Sequence, residues 1–271
     1  MKWDYHVHLE RGPYNRDWMY RFLEAAQLAG IDEIGFSEHA YRFRQTEDIW
    51  PCNWNLKAEV DADKYVMLVQ EAKGNGSPIK LGVEVDFVPG KEEQLDRFIS
   101  QYPWDYVIGS VHFIDEWGFD RPDQAYLWDQ RDIGEAYRHY FALFTDAAKT
   151  KLFDIMAHPD VIKVYGYRPK DSLIDEYIRC ADILRQTDTC FEISTAGLRK
   201  PVGELYPAPC FTQMLVEADV TAIINSDAHR PEDVGHGFDA AYAYAQKYGI
   251  TKLARFSNRQ RLLVDLDCSC Q

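Results

Sequence analysis

Short, almost wholly apolar runs alternate along this chain with longer stretches whose apolar positions recur at helical spacing. The short runs, read as strands, cover residues 3–8, 33–37, 80–88, 106–111, 153–157, 189–194 and 220–225. The longer stretches predict helices over 18–29, 62–73, 92–100, 133–149, 173–186, 211–218 and 233–247. Asp17 opens the first helix and Gly30 stops it, while Gly74-Asn75-Gly76 closes the second. A short tail follows the last helix. Seven strand–helix alternations predict a parallel sheet covered by helices. Polar residues recur at the downstream ends of the strands, the place where α/β barrels collect their active-site groups. Two connections, 41–60 and 114–131, mix tryptophans with charge and fit no regular element, so each reads as a lid or substrate wall. The expectation is one α/β domain over residues 1–271, a barrel rather than an open sheet, with no linker dividing it.

Composition narrows the partners. The 271 residues carry a formal net charge of −14 and no dense Lys/Arg run, which argues against duplex nucleic acid as a partner. No run of about 18 apolar residues is present to span a bilayer. Met1-Lys2 leads straight into a strand, leaving no room for the apolar region of a signal peptide. The six cysteines include no C-x-x-C pair, and Cys268-Ser269-Cys270 reads as an inert tail, so the expected setting is the reducing cytoplasm. The sequence sets no oligomeric state.

The chemistry lies in the histidines. His6 and His8, two apart on an extended strand, face the same way and can grip one ion. Of the eight histidines, six (His6, His8, His39, His112, His158 and His229) end predicted strands, joined by Glu84 within a strand and Asp227 after the last. Each alone could be a hydrogen-bonded core residue. Together, converging on one barrel mouth, they would be costly to desolvate without cations. Such a set exceeds the three or four protein ligands of one zinc, so two to three ions fit, and mixed N/O donors suit Zn, Mn or Fe. His139 and His236 read as helix-surface and loop residues. No P-loop, dinucleotide-binding or serine-hydrolase motif is present.

The motifs His6-Val-His8, Ser37-Glu-His39, Gly-Val-Glu84-Val-Asp, Ser-Val-His112-Phe, His158-Pro-Asp and Asp227-Ala-His229 run in the order of the polymerase-and-histidinol-phosphatase (PHP) superfamily, which the chain resembles from residue 4 to about 240. Within it, the segment from Glu192 through Arg199 to Tyr206, and Ser226-Asp-Ala-His229 followed by Pro231, look like monofunctional histidinol-phosphate phosphatases. The resemblance implies a distorted seven-stranded (β/α) barrel, TIM-like, around a three-ion cluster. His6, His8, Glu84 and Asp227 would hold one ion. Glu84 would bridge to a second, held also by His112 and His158, and His39 with His229 would hold the third. Relatives usually add a histidine or aspartate soon after the His-x-His. Residues 9–15 contain neither, and Glu10 is the expected substitute.

The activity so implied is hydrolysis of L-histidinol phosphate, a step of histidine biosynthesis, by a metal-activated hydroxide attacking phosphorus in line. Glu84, Asp227 and His229 would form the catalytic set, with Asp160 or Asp227 protonating the leaving alkoxide. Arg199 would clamp the phosphate through its planar fork, with Arg42 and Lys163 as further candidates for that task. The competing readings are a PHP phosphoesterase acting on a nucleotide or other small phosphate ester, and a noncatalytic metal-stabilised module.

Overall fold

The computed structural model describes residues 1–266. In chain order the elements are β1 (Trp3–Asp4), α1 (Arg16–Leu28), β2 (Glu33–His39), α2 (Ala62–Gly74), β3 (Ile79–Asp86), α3 (Glu92–Ser100), β4 (Tyr106–Ser110), β5 (Phe113–Ile114) and β6 (Trp117–Gly118). There follow α4 (Ile133–Lys149), β7 (Ile155–Met156), α5 (Ile174–Thr187), β8 (Cys190–Ser194), α6 (Pro209–Glu217), β9 (Ala222–Asn225), α7 (Phe238–Lys247), β10 (Lys252–Ser257) and β11 (Gln260–Asp265). Helix α1 starts one residue before the expected cap, because it is Asn15 whose side chain accepts the Trp18 N–H.

One sheet runs β1-β2-β3-β4-β7-β8-β9-β10-β11, and β5-β6 form a separate hairpin. Neighbours pair in parallel through β9 and β10, and the β10–β11 pair alone in this sheet is antiparallel. The seven expected strands are therefore present in chain order, but the sheet has nine strands and its ladder is not a closed barrel. Two features keep it open. β1 contributes only Trp3 and Asp4 to the ladder, and β10 occupies the outer edge of β9 at Ala222. The two sides meet through side chains, Asn225 Oδ1 accepting from the Tyr5 N–H at 2.8 Å and Asp4 from the Ser226 N–H at 2.9 Å, and at the upper rim Val7 bridges Ala228 through N–H···O bonds of 2.8 and 2.9 Å.

The β10–β11 hairpin, expected only as a tail, closes the lower end. Arg255 pairs with Glu33 at 2.8 and 2.9 Å, Arg259 pairs with Asp154 at 2.9 and 3.1 Å, and Arg261 pairs with Asp188. Those carboxylates stand at or just before the starts of β2, β7 and β8. The end that carries no histidines is thus tied down by three arginines, of which Arg255 and Arg259 are bidentate to their carboxylates, the geometry in which ion pairs contribute most.

Above it, the sheet interior is filled by aromatic rings. Tyr5 and Tyr106 stack with centroids 4.9 Å apart, and the Tyr106 hydroxyl donates to the Tyr5 carbonyl at 2.6 Å. The Tyr106 ring lies where side chains of Gly35 and Gly82 would be, since a Cβ on Gly82 would sit 2.2 Å from Tyr106 Cζ. Gly82 and Glu84 share a face of β3, so this stack is the layer directly beneath Glu84. The two aromatic-rich connections are ordered around short helical turns and the β5–β6 hairpin, and they lock together through Trp54 stacked on Phe113 at 3.9 Å. The four described cysteines Cys52, Cys180, Cys190 and Cys210 are free, and the Cys268–Cys270 pair lies outside the described residues.

Gly82→Ala should destabilise the fold by about 1–3 kcal/mol, because the Tyr106 ring has to leave its place. Thermal denaturation checks this, and an unchanged melting temperature would show that the ring is not wedged there.

Candidate metal centre

Glu84, on β3, is the hub. It is 1% exposed, yet neither carboxylate oxygen accepts a hydrogen bond from any described residue. Oε2 lies 2.7 Å from His39 Nδ1, 3.4 Å from His6 Nε2 and 3.6 Å from His8 Nε2. Oε1 faces the other way, 3.4 Å from His158 Nε2 and 3.8 Å from His112 Nε2. The latter two nitrogens point at each other across 3.2 Å. Asp227 Oδ1 stands 3.5 Å from His8 Nε2, 3.7 Å from His6 Nε2 and 3.4 Å from His229 Nδ1.

These atoms fall into three overlapping groups in which all ligand atoms lie within 4.8 Å of one another: His6, His8 and Asp227; His6, Glu84 and His158; and His8, His39 and His229. The buried nitrogens His6 Nε2, His8 Nε2 and His39 Nδ1 have no hydrogen-bond partner either. Lone pairs converging on one another without hydrogen bonds form a donor set for cations, and the mixed nitrogen and oxygen ligands fit divalent ions.

Outer carboxylates hold the rings. Glu192, buried on β8, accepts from His6 Nδ1 at 2.8 Å, from the His158 backbone N–H at 2.8 Å and from Asn225 at 2.8 Å. Asp86 accepts from His112 Nδ1 at 2.9 Å, and Glu38 accepts from the Leu9 and His39 N–H groups and the Tyr14 hydroxyl. Each such bond fixes a tautomer or a strand end and turns the free nitrogen inward. Backbone strain marks the same places. His158 and Asp227 have φ of 24° and 52°, a left-handed conformation that costs non-glycine residues of order 1–3 kcal/mol each.

Charge in the metal-free protein is balanced by protons. Burial disfavours charge on His6, but Glu192, Glu84 and Asp227 raise its pKa well above the ordinary value. His8, likewise opposed by burial, is raised to about 9 by Asp227 and Glu38, and His112 to about 10 by Asp86. His229 goes the other way, well below the ordinary value, through burial and the neighbouring His8. Against burial, His39 and His6 hold Glu84 well below the usual carboxylate range, and His8 holds Glu38 at about 2.

A cavity of about 230 Å³ opens onto this cluster, with His39, Glu84, His112, Asp227 and His229 on its inner side. Tyr41, Leu56 and Phe113 add apolar lining, and Glu10, Arg11, Asp120, Arg121 and Lys200 add charge.

The model of the PHP domain matches residues 4–196. This chain belongs to the PHP domain family. It is 33% identical over 235 residues to a probable histidinol-phosphatase of Deinococcus radiodurans, a match covering 87% of this chain and 89% of that one. It is 24% identical to a histidinol-phosphatase of Bacillus subtilis, over 88% of this chain and 97% of the other. The fold is similar to that of the histidinol phosphate phosphatase of Lactococcus lactis solved with zinc, L-histidinol and phosphate, at a TM-score of 0.78 and 22% identity over 96% of this chain and 98% of that one.

Among the residues singled out in the PHP-domain sequence, the eight at His6, His8, His39, Glu84, His112, His158, Asp227 and His229 come together here. Glu10 reaches the edge of the cluster, 3.6 Å from His229 Nε2, but belongs to none of the three ligand groups. Arg42 does not line the cavity; it lies 3.5 Å from Glu10 and donates to the Tyr14 hydroxyl. Lys163 is not brought to the cavity either. It is 1% exposed and bound to Asp160 at 3.0 Å and the Leu205 carbonyl at 2.8 Å, which also ties up Asp160. Arg199 spends Nη2 on the carbonyls of Ser226 and Asp227 at 2.7 and 3.0 Å, while its Nη1 is buried without a partner. Glu38, Asp86 and Glu192 were not singled out as site residues. The available signal was their position, an acid inside or at the end of an otherwise apolar strand.

Loading the metal-free protein with zinc should release protons, because His8 and His112 hold theirs up to about pH 9 and 10. Apparent zinc affinity should then rise with pH below those values by roughly tenfold per pH unit for each proton displaced. Titration in weak buffer with a pH indicator checks this, and uptake without proton release would contradict the charge balance described. Glu192→Ala should weaken zinc binding by roughly 10–100-fold.

Proposed function

We propose that the chain hydrolyses L-histidinol phosphate to L-histidinol and phosphate, using two to three divalent transition-metal ions, Zn, Mn or Fe. The observation that carries the reading is Glu84, a buried carboxylate with histidine nitrogens facing both of its oxygens, opening onto a cavity sized for a small molecule. Its context supports it, since the relatives from Deinococcus radiodurans and Bacillus subtilis are named as histidinol-phosphatases and the Lactococcus lactis protein was solved with L-histidinol and phosphate. On this reading the seven parallel strands form a distorted barrel drawn together at the rim that bears the site.

His6, His8 and Asp227 would hold one ion, Glu84 with His112 and His158 a second, and His39 with His229 a third, Glu10 completing the last. Bound divalent cations lower the pKa of water and neutralise charge on phosphoryl oxygens. The chain's own residues do the rest. Arg199 does not line the cavity of about 230 Å³ but an adjoining cleft shared with Lys200, Asp227 and His229; its Nη2 positions the strained Asp227 loop, and its Nη1, buried without a partner, would turn to a phosphoryl oxygen once substrate is bound. Lys200, exposed at the cavity mouth, adds a cation there. Arg42 steadies Glu10 rather than touching substrate. Asp227, ionised at the mouth beside His229, would take a proton from the attacking water and pass it to the leaving alkoxide. Among the described residues no helix is long and apolar enough to cross a membrane, and the free thiols suit the cytoplasmic setting we assign.

Phosphate release from a panel of esters tests this. Histidinol phosphate should exceed nucleotide monophosphates in kcat/KM by roughly 100-fold or more, and stripping the metal should abolish turnover. A metal-free protein with full activity, or a preference for a nucleotide, would overturn the reading. Arg199→Ala should lower kcat/KM by roughly 10²–10³-fold, measured at saturating zinc because the variant also loses the bonds that hold the Asp227 loop.

A further inference from the structure

We propose that Asp120 recognises the ammonium group of the substrate and so sets a preference for amine-bearing phosphate esters, an inference that rests on the phosphatase reading above. The argument runs by charge. Four carboxylates line the cavity: Glu10, Glu84, Asp120 and Asp227. Glu84 and Asp227 face the imidazoles, and Glu10 faces Arg42 at 3.5 Å and Arg11 at 3.9 Å. The side chain of Asp120 makes no hydrogen bond or ion pair with any described residue, although it is only partly exposed.

Its neighbour does not neutralise it. Arg121 turns its guanidinium to Asp123 at 3.1 and 3.2 Å and to the Trp54 carbonyl at 3.2 Å. An unpaired carboxylate beside a small cavity is costly unless a cation arrives to meet it. The metal-ligand cluster and Lys200 offer positive charge to the phosphate of a substrate, and Asp120, on the lining of the same cavity, is the carboxylate left to meet its ammonium group.

The carboxylate is also held in place. The Asp120 carbonyl accepts from the Tyr165 hydroxyl at 2.9 Å, and the preceding Phe119 carbonyl accepts from Trp128 Nε1 at 2.9 Å. The Trp54–Phe113 stack and the bond from Trp54 Nε1 to the Asp115 carbonyl at 2.7 Å fasten the two long connections to each other. A charged group presented on a fixed frame binds its partner with little ordering cost.

The test compares L-histidinol phosphate with 3-(imidazol-4-yl)propyl phosphate, the same ester without the amine, on the zinc-loaded protein. Asp120→Asn should raise KM for histidinol phosphate by roughly 10–100-fold, the strength of one charged hydrogen bond. It should leave kcat, zinc content and turnover of the amine-free ester near wild type, and Asp120→Glu should restore part of the loss. Equal loss on both esters, or no loss on either, would overturn the proposal. If the wild-type protein cleaves neither imidazole ester, the proposed function itself falls. The preference is then scored with phosphoethanolamine against ethyl phosphate, where a loss confined to phosphoethanolamine still supports Asp120 and any other result refutes it.

Discussion

Glu84 imposes the constraint to which the rest of the structure answers. An ionised carboxylate held in a protein interior without hydrogen bonds is costly, and only a compensating field of positive charge makes it tolerable. Here that field is a shell of imidazoles on both of its oxygens. In the metal-free protein the imidazoles provide the charge by retaining protons; cations would provide it by displacing them. The outer carboxylates Glu192 and Asp86 fix ring orientation, and Glu38 adds its charge 3.8 Å from His8 Nδ1.

The two ends of the sheet divide the work. At the lower end, arginines of the final hairpin clamp acids at the strand starts, and the Tyr5–Tyr106 stack fills the space above them. At the upper end strands finish in ligands, strained φ values appear at His158 and Asp227, and polar atoms go without partners. Polar satisfaction and packing are concentrated on one face so that the other can carry unsatisfied groups, the separation of stability from chemistry seen in α/β barrels.

The charge distribution follows the same division. In a chain of net charge −14, Arg11 and Arg121 on the cavity lining already face Glu10 and Asp123, and Lys200 is the lysine there left to meet an incoming phosphate. Arg199 sits behind them, tying the Asp227 loop to the segment that follows β8.

Strand–helix alternation and the histidines at strand ends were legible in the order of residues, because both are local patterns with a physical period. The family motifs ordered the eight central ligands, and those eight come together. What required the tertiary structure was everything set by through-space pairing. The open ladder depends on how short β1 is and on β10 taking the edge of β9, and the hairpin's role depends on acids that lie 73 to 222 positions away in the chain. Lys163 has the residue type of a phosphate ligand, but Asp160, three residues before it and equally buried, claims its charge. Glu192 offered no metal motif, and only the approach of β8 to the opening strand shows that it orients His6. The sequence by itself determined which chemistry the chain can do. The partners of each charge, and hence which residues are free to do it, were decided by the fold, because pairing and desolvation are properties of distance in space.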